Sequence, residues 1–373
     1  MLPRLIGSEI YRGSTYGPKH PLAIPRVSTT LDLIRALGWV TPAHDIDSPR
    51  ATPAELTRFH DADYVAALQR AEATQTISAE DKARFGIGAN GNPIYREVFR
   101  RPATGAGGTT LAARLSAAEG GRFHVPGGGT HHGLRDRASG FCYLNDAVLG
   151  LLAWRDAGFE RILYLDIDAH HGDGVESAFL DDPRVTTLSV HERDRWPFTG
   201  QASQPGALNI PVPEGFNDSE MRAVLHGAIL PLIEALQPQA IMLQCGADAL
   251  EEDPLARLAL SNNAHREVIR AVRNAAPRFI LLGGGGYNPW TVARCWTLGW
   301  ATLNGIVPPE RLPPAAEAVL RGLTWSRAAG RNPPEHWFAT LLDAPREGLV
   351  RPAILDAVAA ARGALPDTIR AVA

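Results

Sequence analysis

The apolar run Ile162-Leu-Tyr-Leu stops at Asp166-Ile-Asp168-Ala-His170-His171-Gly-Asp173-Gly, and this junction constrains the fold more than any other stretch of the 373-residue chain. A short apolar run that ends abruptly in acids and imidazoles reads as a strand buried on both faces, with its carboxyl end opening into a crevice. Asp168 and His170 are two residues apart and project to the same side of an extended backbone. A lone Asp or His at a strand end is ordinarily a cap. Five ionisable side chains within eight residues, however, are too costly to bury without a cation and hydrogen-bonding partners. The pair reads as two ligands of a metal site that takes its third from elsewhere.

The same pattern recurs along the chain. Apolar, β-rich runs at 123–125, 162–166, 185–190, 240–245 and 279–282 are each followed by Gly, Asp or His. Between them, 146–155, 219–236, 263–275 and 291–303 carry helical i, i+3, i+4 apolar spacing. The alternation predicts a doubly wound, mainly parallel sheet with its chemistry on loops beyond the carboxyl ends. Segments 13–25, 86–93 and 191–209 read as long loops, and the stretch beyond Pro308 as a peripheral helical tail. With no repeat or linker, 1–373 is read as a single domain, its core about 5–305 and its C-terminal extension 306–373.

Composition excludes several partners. A net charge of −3 gives no basic field to recruit nucleic acid or an anionic membrane. The first residues lack a signal-like apolar core and no apolar stretch approaches the ~20 residues of a membrane span, so a cytoplasmic protein is expected. Cys142, Cys245 and Cys295 form no CxxC pair and are expected as free thiols.

Four more clusters fall after strand-like runs. In Gly127-Gly-Gly-Thr-His131-His132 the glycines let both imidazoles face a cavity, suiting one to take a proton from a metal-bound water while the other holds charge nearby. A solvated histidine pair is the plainer alternative. Cys245-Gly-Ala-Asp248 supplies an acid as third ligand, although an Asp there also suits a helix cap. Gly283-Gly-Gly-Gly-Tyr287 carries the backbone past a pocket and presents a phenol able to hydrogen-bond a developing oxyanion. A phosphate loop is disfavoured, since there is no GxxxxGK[ST] and no basic residue before Arg294. Ser139-Gly-Phe141-Cys-Tyr143 and Trp196 supply aromatic walls for a narrow channel, or else ordinary core.

Together, His131-His132, Gly140-Phe-Cys-Tyr-Leu-Asn145-Asp146, Asp166 to Gly174, Gly246-Ala-Asp248 and Gly283 to Tyr287 resemble the zinc-dependent histone deacetylase superfamily, nearest its bacterial and acetoin-utilisation branch. The resemblance extends to Lys19-His20-Pro21 and Pro25-Arg26. It implies the α/β arginase-deacetylase fold with an eight-stranded parallel sheet. It implies that Asp168, His170 and Asp248 bind Zn²⁺, that Asp166 and Asp173 pair with His131 and His132, and that His132 and Tyr287 act in hydrolysis. The oxygen-rich ligand set also suits Fe²⁺ or Co²⁺. Gly140, Phe141, Trp196, Leu255 and Gly285 would meet an acyl-lysine protein or peptide, or a small acylated amine. A K⁺ or Na⁺ would sit by Asp166, Asp168, His170, Ser189 and Val190, and a second by Phe179, Asp182 and Val185.

Two departures bear on substrate. Relatives carry a peptide-gripping acid where this chain has Gly91, and Trp196 stands where Phe is common, after a loop that looks shortened. A modified acyl or amine preference is expected. Acetylpolyamine hydrolysis remains the alternative activity. Arginase-like two-metal chemistry lacks a second acidic set after Asp248, and a non-catalytic reader would not need ligands, imidazoles and phenol together.

Overall fold

Five strands of the computed structural model, which describes residues 2–89 and 91–364, fall on the five apolar runs. They are β3 (Gly121–Val125), β4 (Ile162–Asp166), β5 (Val185–Glu192), β7 (Ala240–Gln244) and β8 (Arg278–Leu282). β1 (Arg4–Gly7), β2 (Asp45–Asp47) and β6 (Ala207–Val212) complete one eight-stranded sheet, ordered β2-β1-β3-β8-β7-β4-β5-β6 and parallel throughout. β4 and β7 are buried at every residue, as a sheet covered on both faces requires.

Three strands escape sequence reasoning for physical reasons. β1 and β2 are four and three residues long, and β2 is charged, which protects an exposed sheet edge from pairing with another chain. β6 begins in the last residues of the segment read as the loop 191–209, runs on to Val212, and carries Asn209 and Pro211, residues that interrupt a strand pattern. Pro211 is tolerated because β6 is the other edge, where no outer neighbour needs its N–H.

The winding opens the crevice. From β4 the chain steps outward to β5 and β6, then returns to lay β7 on the other side of β4 and β8 beyond it. The loops leaving β4 and β7 therefore diverge, which is the condition for a cleft at the strands' carboxyl ends. Residues 219–236 form a helix that starts at Asp218, with Asn217 and Glu220 in a capping box, and widens to a π-turn over Leu225–Ile229. Pro231 explains the widening, because an α-turn would press its ring on the carbonyl of Gly227 and leave that carbonyl without a donor.

The helix Pro289–Asn304 is buried all round, so its outer face needs a further layer. The segment after Pro308 provides it. Leu312, Ala316, Leu320, Trp337 and Leu341 pack on Trp290 and Leu298, and a fully buried Arg294 meets Asp343 at 2.7 Å. The helix Pro352–Gly363 inserts Ile354 and Val358 into the main core, clamped by Arg351 on the buried Glu220 at 2.6 and 2.7 Å. Residues 365–373 of the C-terminal extension lie outside the described residues. Cys142, Cys245 and Cys295 are free and buried. Among the described residues no helix is long and apolar enough to cross a membrane.

His60 ties the loops beneath the site. Its Nε2 accepts the N–H of Asn145, so its proton sits on Nδ1 and is donated to the carbonyl of Arg135. Burial lowers its pKa from 6.5 to about 4. The unfolded chain then binds this proton first, and stability falls as pH drops through that window, by at most about 3 kcal/mol. Urea titrations between pH 7 and 4 should show the stability gap between wild type and His60→Gln narrowing with acid; a constant gap would exclude the assignment.

Candidate active site

Four consecutive strands of the sheet, β3, β8, β7 and β4, send their carboxyl-terminal loops into one crevice, where His131, His132, Asp168, His170, Asp248 and Tyr287 meet; Trp196 reaches the mouth from the loop after β5, whereas Phe179, Asp182 and Val185 lie apart, in the turn leading into β5. Asp168 and His170 follow β4, and Asp248 sits in a turn after β7. One ligand atom from each comes within 4.8 Å of the others, all three residues being buried. Nδ1 of His170 lies 3.0 Å from Asp248 Oδ2 and 3.4 Å from Asp168 Oδ1. The acids are oriented by donors behind them: Asp168 Oδ2 accepts from Gln244 Nε2 at 2.9 Å and from the Gly285 N–H at 2.8 Å, and Asp248 Oδ1 accepts from the Ala169 N–H at 3.1 Å. Only glycine allows that approach at position 285, where a Cβ would stand 2.0 Å from Asp248 Oδ2.

The electrostatics fit a cation. Burial resists charge on His170, yet its hydrogen bonds to Asp168 and Asp248 raise it to about 10. Burial, followed by the repulsion of Asp168, pushes Asp248 up to about 6. Two carboxylates and an imidazole thus compete for positive charge, and no Lys or Arg of the described residues forms an ion pair with Asp168 or Asp248. Two oxygens and a nitrogen at this spacing suit Zn²⁺ or a similar divalent ion.

The imidazoles beside this cluster are driven apart in charge. His131 Nδ1 donates to Asp166 at 2.8 Å, and Tyr164 donates to the same oxygen at 2.9 Å. Burial opposes protonation of His131, but Asp166 and Asp168 outweigh it and raise its pKa to about 9. His132 Nδ1 donates to Asp173 at 2.7 Å. For this ring burial prevails, aided by the neighbouring His131, and lowers the pKa to about 4. At neutral pH one ring holds charge and the other offers a free Nε2 lone pair.

Asp146, at the start of the helix Asp146–Asp156, holds the histidine loop in place. Its buried carboxylate accepts from the Gly129 and Thr130 N–H groups at 3.0 and 2.7 Å, from Thr109 at 2.6 Å, and from the Thr130 hydroxyl. Tyr287 is held through its own N–H, donated to Asp253 at 2.6 Å, and burial followed by the charge of Asp248 keeps its phenol protonated well above the usual range.

Phe141, Trp196 and Leu255 line an open mouth of about 430 Å³ above His132, His170 and Tyr287. Gly140 (φ +53°) lets Trp196 approach, since a Cβ there would be 2.3 Å from the indole, and its carbonyl accepts from Cys142 Sγ at 3.4 Å. Gly285 sits deeper, at the wall of a second cavity of about 60 Å³, large enough for a few waters. Ser189 and Val190 lie on β5, with Ser189 paired to Asp166 in register and its hydroxyl 2.9 Å from His191 Nδ1. Phe179, Asp182 and Val185 form a turn whose Asp182 carboxylate is held by Arg155 at 2.6 Å and Arg184 at 2.9 Å.

Gln244 and Asp253 escape sequence reasoning. The signal for Gln244 is a polar residue ending a fully buried apolar strand. Asp253 carries none, because its role depends on a loop far away in sequence. Arg26, noted in the sequence only as part of the motif Pro25-Arg26, donates to the carbonyl of Gly284 at 2.7 Å. Asp146→Ala should cost about 3 kcal/mol in urea unfolding, because it strands several buried donors. A loss below about 0.5 kcal/mol would show that these bonds do not anchor the loop.

Comparisons with known proteins agree with this geometry. Residues 20–303 match the model of the family described as the histone deacetylase domain. The chain is 38% identical over 313 residues to histone deacetylase 9 of Arabidopsis thaliana, covering 81% of this chain and 73% of that protein. It is 35% identical over 327 residues to the acetoin utilization protein AcuC of Bacillus subtilis, covering 83% and 84%. It spans 59–60% of longer deacetylases from rice and Drosophila melanogaster. A crystal structure of a histone deacetylase homologue from Aquifex aeolicus superposes with a TM-score of 0.91 at 35% identity, covering 97% of this chain and all of that one.

Proposed function

Because the chain belongs to the histone deacetylase family, and so among hydrolases acting on amide bonds, we propose that it removes acetyl or other acyl groups from lysine side chains with the help of a bound Zn²⁺. The observation that carries this reading is the juxtaposition, in one crevice, of the Asp168-His170-Asp248 cluster, a neutral His132 and a protonated Tyr287.

A divalent cation at Asp168, His170 and Asp248, with Fe²⁺ or Co²⁺ as alternatives to Zn²⁺, supplies Lewis acidity toward the amide carbonyl and the attacking water. His132 performs the proton chemistry: with Nδ1 committed to Asp173, Nε2 takes the water proton and delivers it to the leaving amine. His131, kept cationic by Asp166, adds positive charge nearby without competing for that proton. Tyr287 donates its phenolic O–H to the oxyanion of the tetrahedral state, its high pKa keeping that proton in place. Phe141 and Trp196 would enclose the aliphatic stem, Leu255 would complete the wall, and the Gly140 carbonyl would accept the amide N–H. Gly285 shapes the floor.

K⁺ or Na⁺ would be held mainly by backbone oxygens, near Asp166 and Ser189 and in the turn around Phe179, since Arg155 and Arg184 already occupy the Asp182 carboxylate. Acetylpolyamines are the weaker alternative, because their cationic tails need acidic partners and no carboxylate lines the mouth.

The Zn²⁺-loaded protein should deacylate an acetyl-lysine peptide, detected by mass spectrometry, and lose turnover on chelation. His132→Ala and Tyr287→Phe should each lower kcat by about 100-fold or more, and Asp168→Ala should lower bound Zn²⁺. Full activity in Tyr287→Phe would refute its oxyanion role, and turnover of polyamines alone would move the substrate to small amines.

A further inference from the structure

The mouth carries an unbalanced charge. Arg137 and Arg195 are its two arginines, and no Asp or Glu lines it. Arg195 is neutralised in place, gripping the buried Glu192 through bonds of 2.9 and 2.7 Å. Arg137 is not. Its guanidinium donates at 3.1 Å to the carbonyl of Ala83, and it makes no ion pair among the described residues. Its stem lies over Gly86 (φ +67°), where a Cβ would come 3.3 Å from Arg137 Cγ and 2.7 Å from the carbonyl of Ala138. The cation is thus seated on fixed backbone.

The loop that brings Asn92 to the mouth cannot restore the balance. Gly91 has φ +81°, and a Cβ there would lie 2.6 Å from the Phe141 ring. That ring has little room to yield. The Phe141 N–H donates to Asn92 Oδ1 at 2.9 Å, its carbonyl accepts from Tyr16 at 2.9 Å, and His20 meets its face edge-on at 4.6 Å. A carboxylate at 91 would cost left-handed strain and displacement of Phe141. The rim is therefore aromatic and cationic by construction.

We propose that this site selects acylated amines whose flank bears a carboxylate, and that Arg137 is the residue that sets this preference; the proposal rests on the deacylase reading above. The carboxylate comes either from an acidic residue beside an acyl-lysine in a peptide or from the free carboxylate of an acylated amino acid. Arginine suits both, since its planar fork pairs with a carboxylate through two bonds. Cationic flanks, as in a Lys- and Arg-rich tail, meet like charge.

The test uses acetyl-lysine peptides identical except for Asp, Gln or Arg flanks, together with free Nε-acetyl-lysine and its methylamide. Two readouts apply: kcat/KM with the Zn²⁺-loaded protein, and binding to Zn²⁺-loaded His132→Ala by fluorescence anisotropy. Wild type should favour Asp over Arg flanks by about ten-fold at low salt, and the ratio should shrink at high salt. Arg137→Gln should level the series and Arg137→Glu should invert it, each with an unchanged melting temperature. Preference for free acetyl-lysine over both its methylamide and the peptides would identify the small carboxylate as the source. Equal rates and equal binding across the flanks in wild type, or an order that survives Arg137→Glu, would overturn the proposal. If the Asp-flanked peptide binds best but no amide is cleaved, the flank preference stands and the deacylase reading fails.

Discussion

Negative charge buried at the carboxyl end of the central strands is the constraint on which the rest of the structure depends. Asp166, Asp168 and Asp248 are at most 1% exposed, and each is held by donors that the fold must deliver: backbone N–H groups from the loops after β4 and β8, the Gln244 amide and the Tyr164 hydroxyl. Isolated carboxylates in such surroundings would be driven to neutrality. Here the donors and His131 keep Asp168 ionised against its burial. Positive charge is drawn in wherever it fits, as a proton on His131 and His170 or as a cation bound by the ligand cluster.

That demand explains the glycines and the layering beneath them. Gly285 and Gly246 lack a Cβ because one would coincide with the carboxylates they serve. Loops this closely approached need a rigid base. The all-round buried helix Pro289–Asn304 supplies it through Trp296, whose Nε1 donates at 3.0 Å to the carbonyl of Cys245, three residues before Asp248. Residues 312–343 seal the outer face of that helix, which couples them to the geometry of a site they never touch.

Two imidazoles adjacent in sequence, with ring centres 3.9 Å apart, end at opposite protonation states. Like charges at that distance do not readily coexist in a buried setting, so whichever ring has the richer anionic surroundings takes the proton. His131 faces Asp166 and Asp168, and His132 faces Asp173 alone at hydrogen-bond range. The division between charge holder and base thus follows from which carboxylates each ring reaches.

Sequence alone was enough for the alternating strands and helices, for β3, β4, β5, β7 and β8, and for the clusters at 131–132, 166–173, 248 and 283–287, because buried parallel strands are uninterrupted apolar runs and their ends are where polar side chains become affordable. Short-range pattern also sufficed to place Asp168 and His170 on one side of the backbone. It could not supply β6, where Pro211 and Asn209 break the pattern and only an edge position in the sheet makes them harmless. Nor could it supply Gln244 behind Asp168, Asp253 beneath Tyr287 or the uncompensated Arg137 at the mouth. Each depends on partners tens of residues away, and no local propensity records which loops the strand order β3-β8-β7-β4 will bring together.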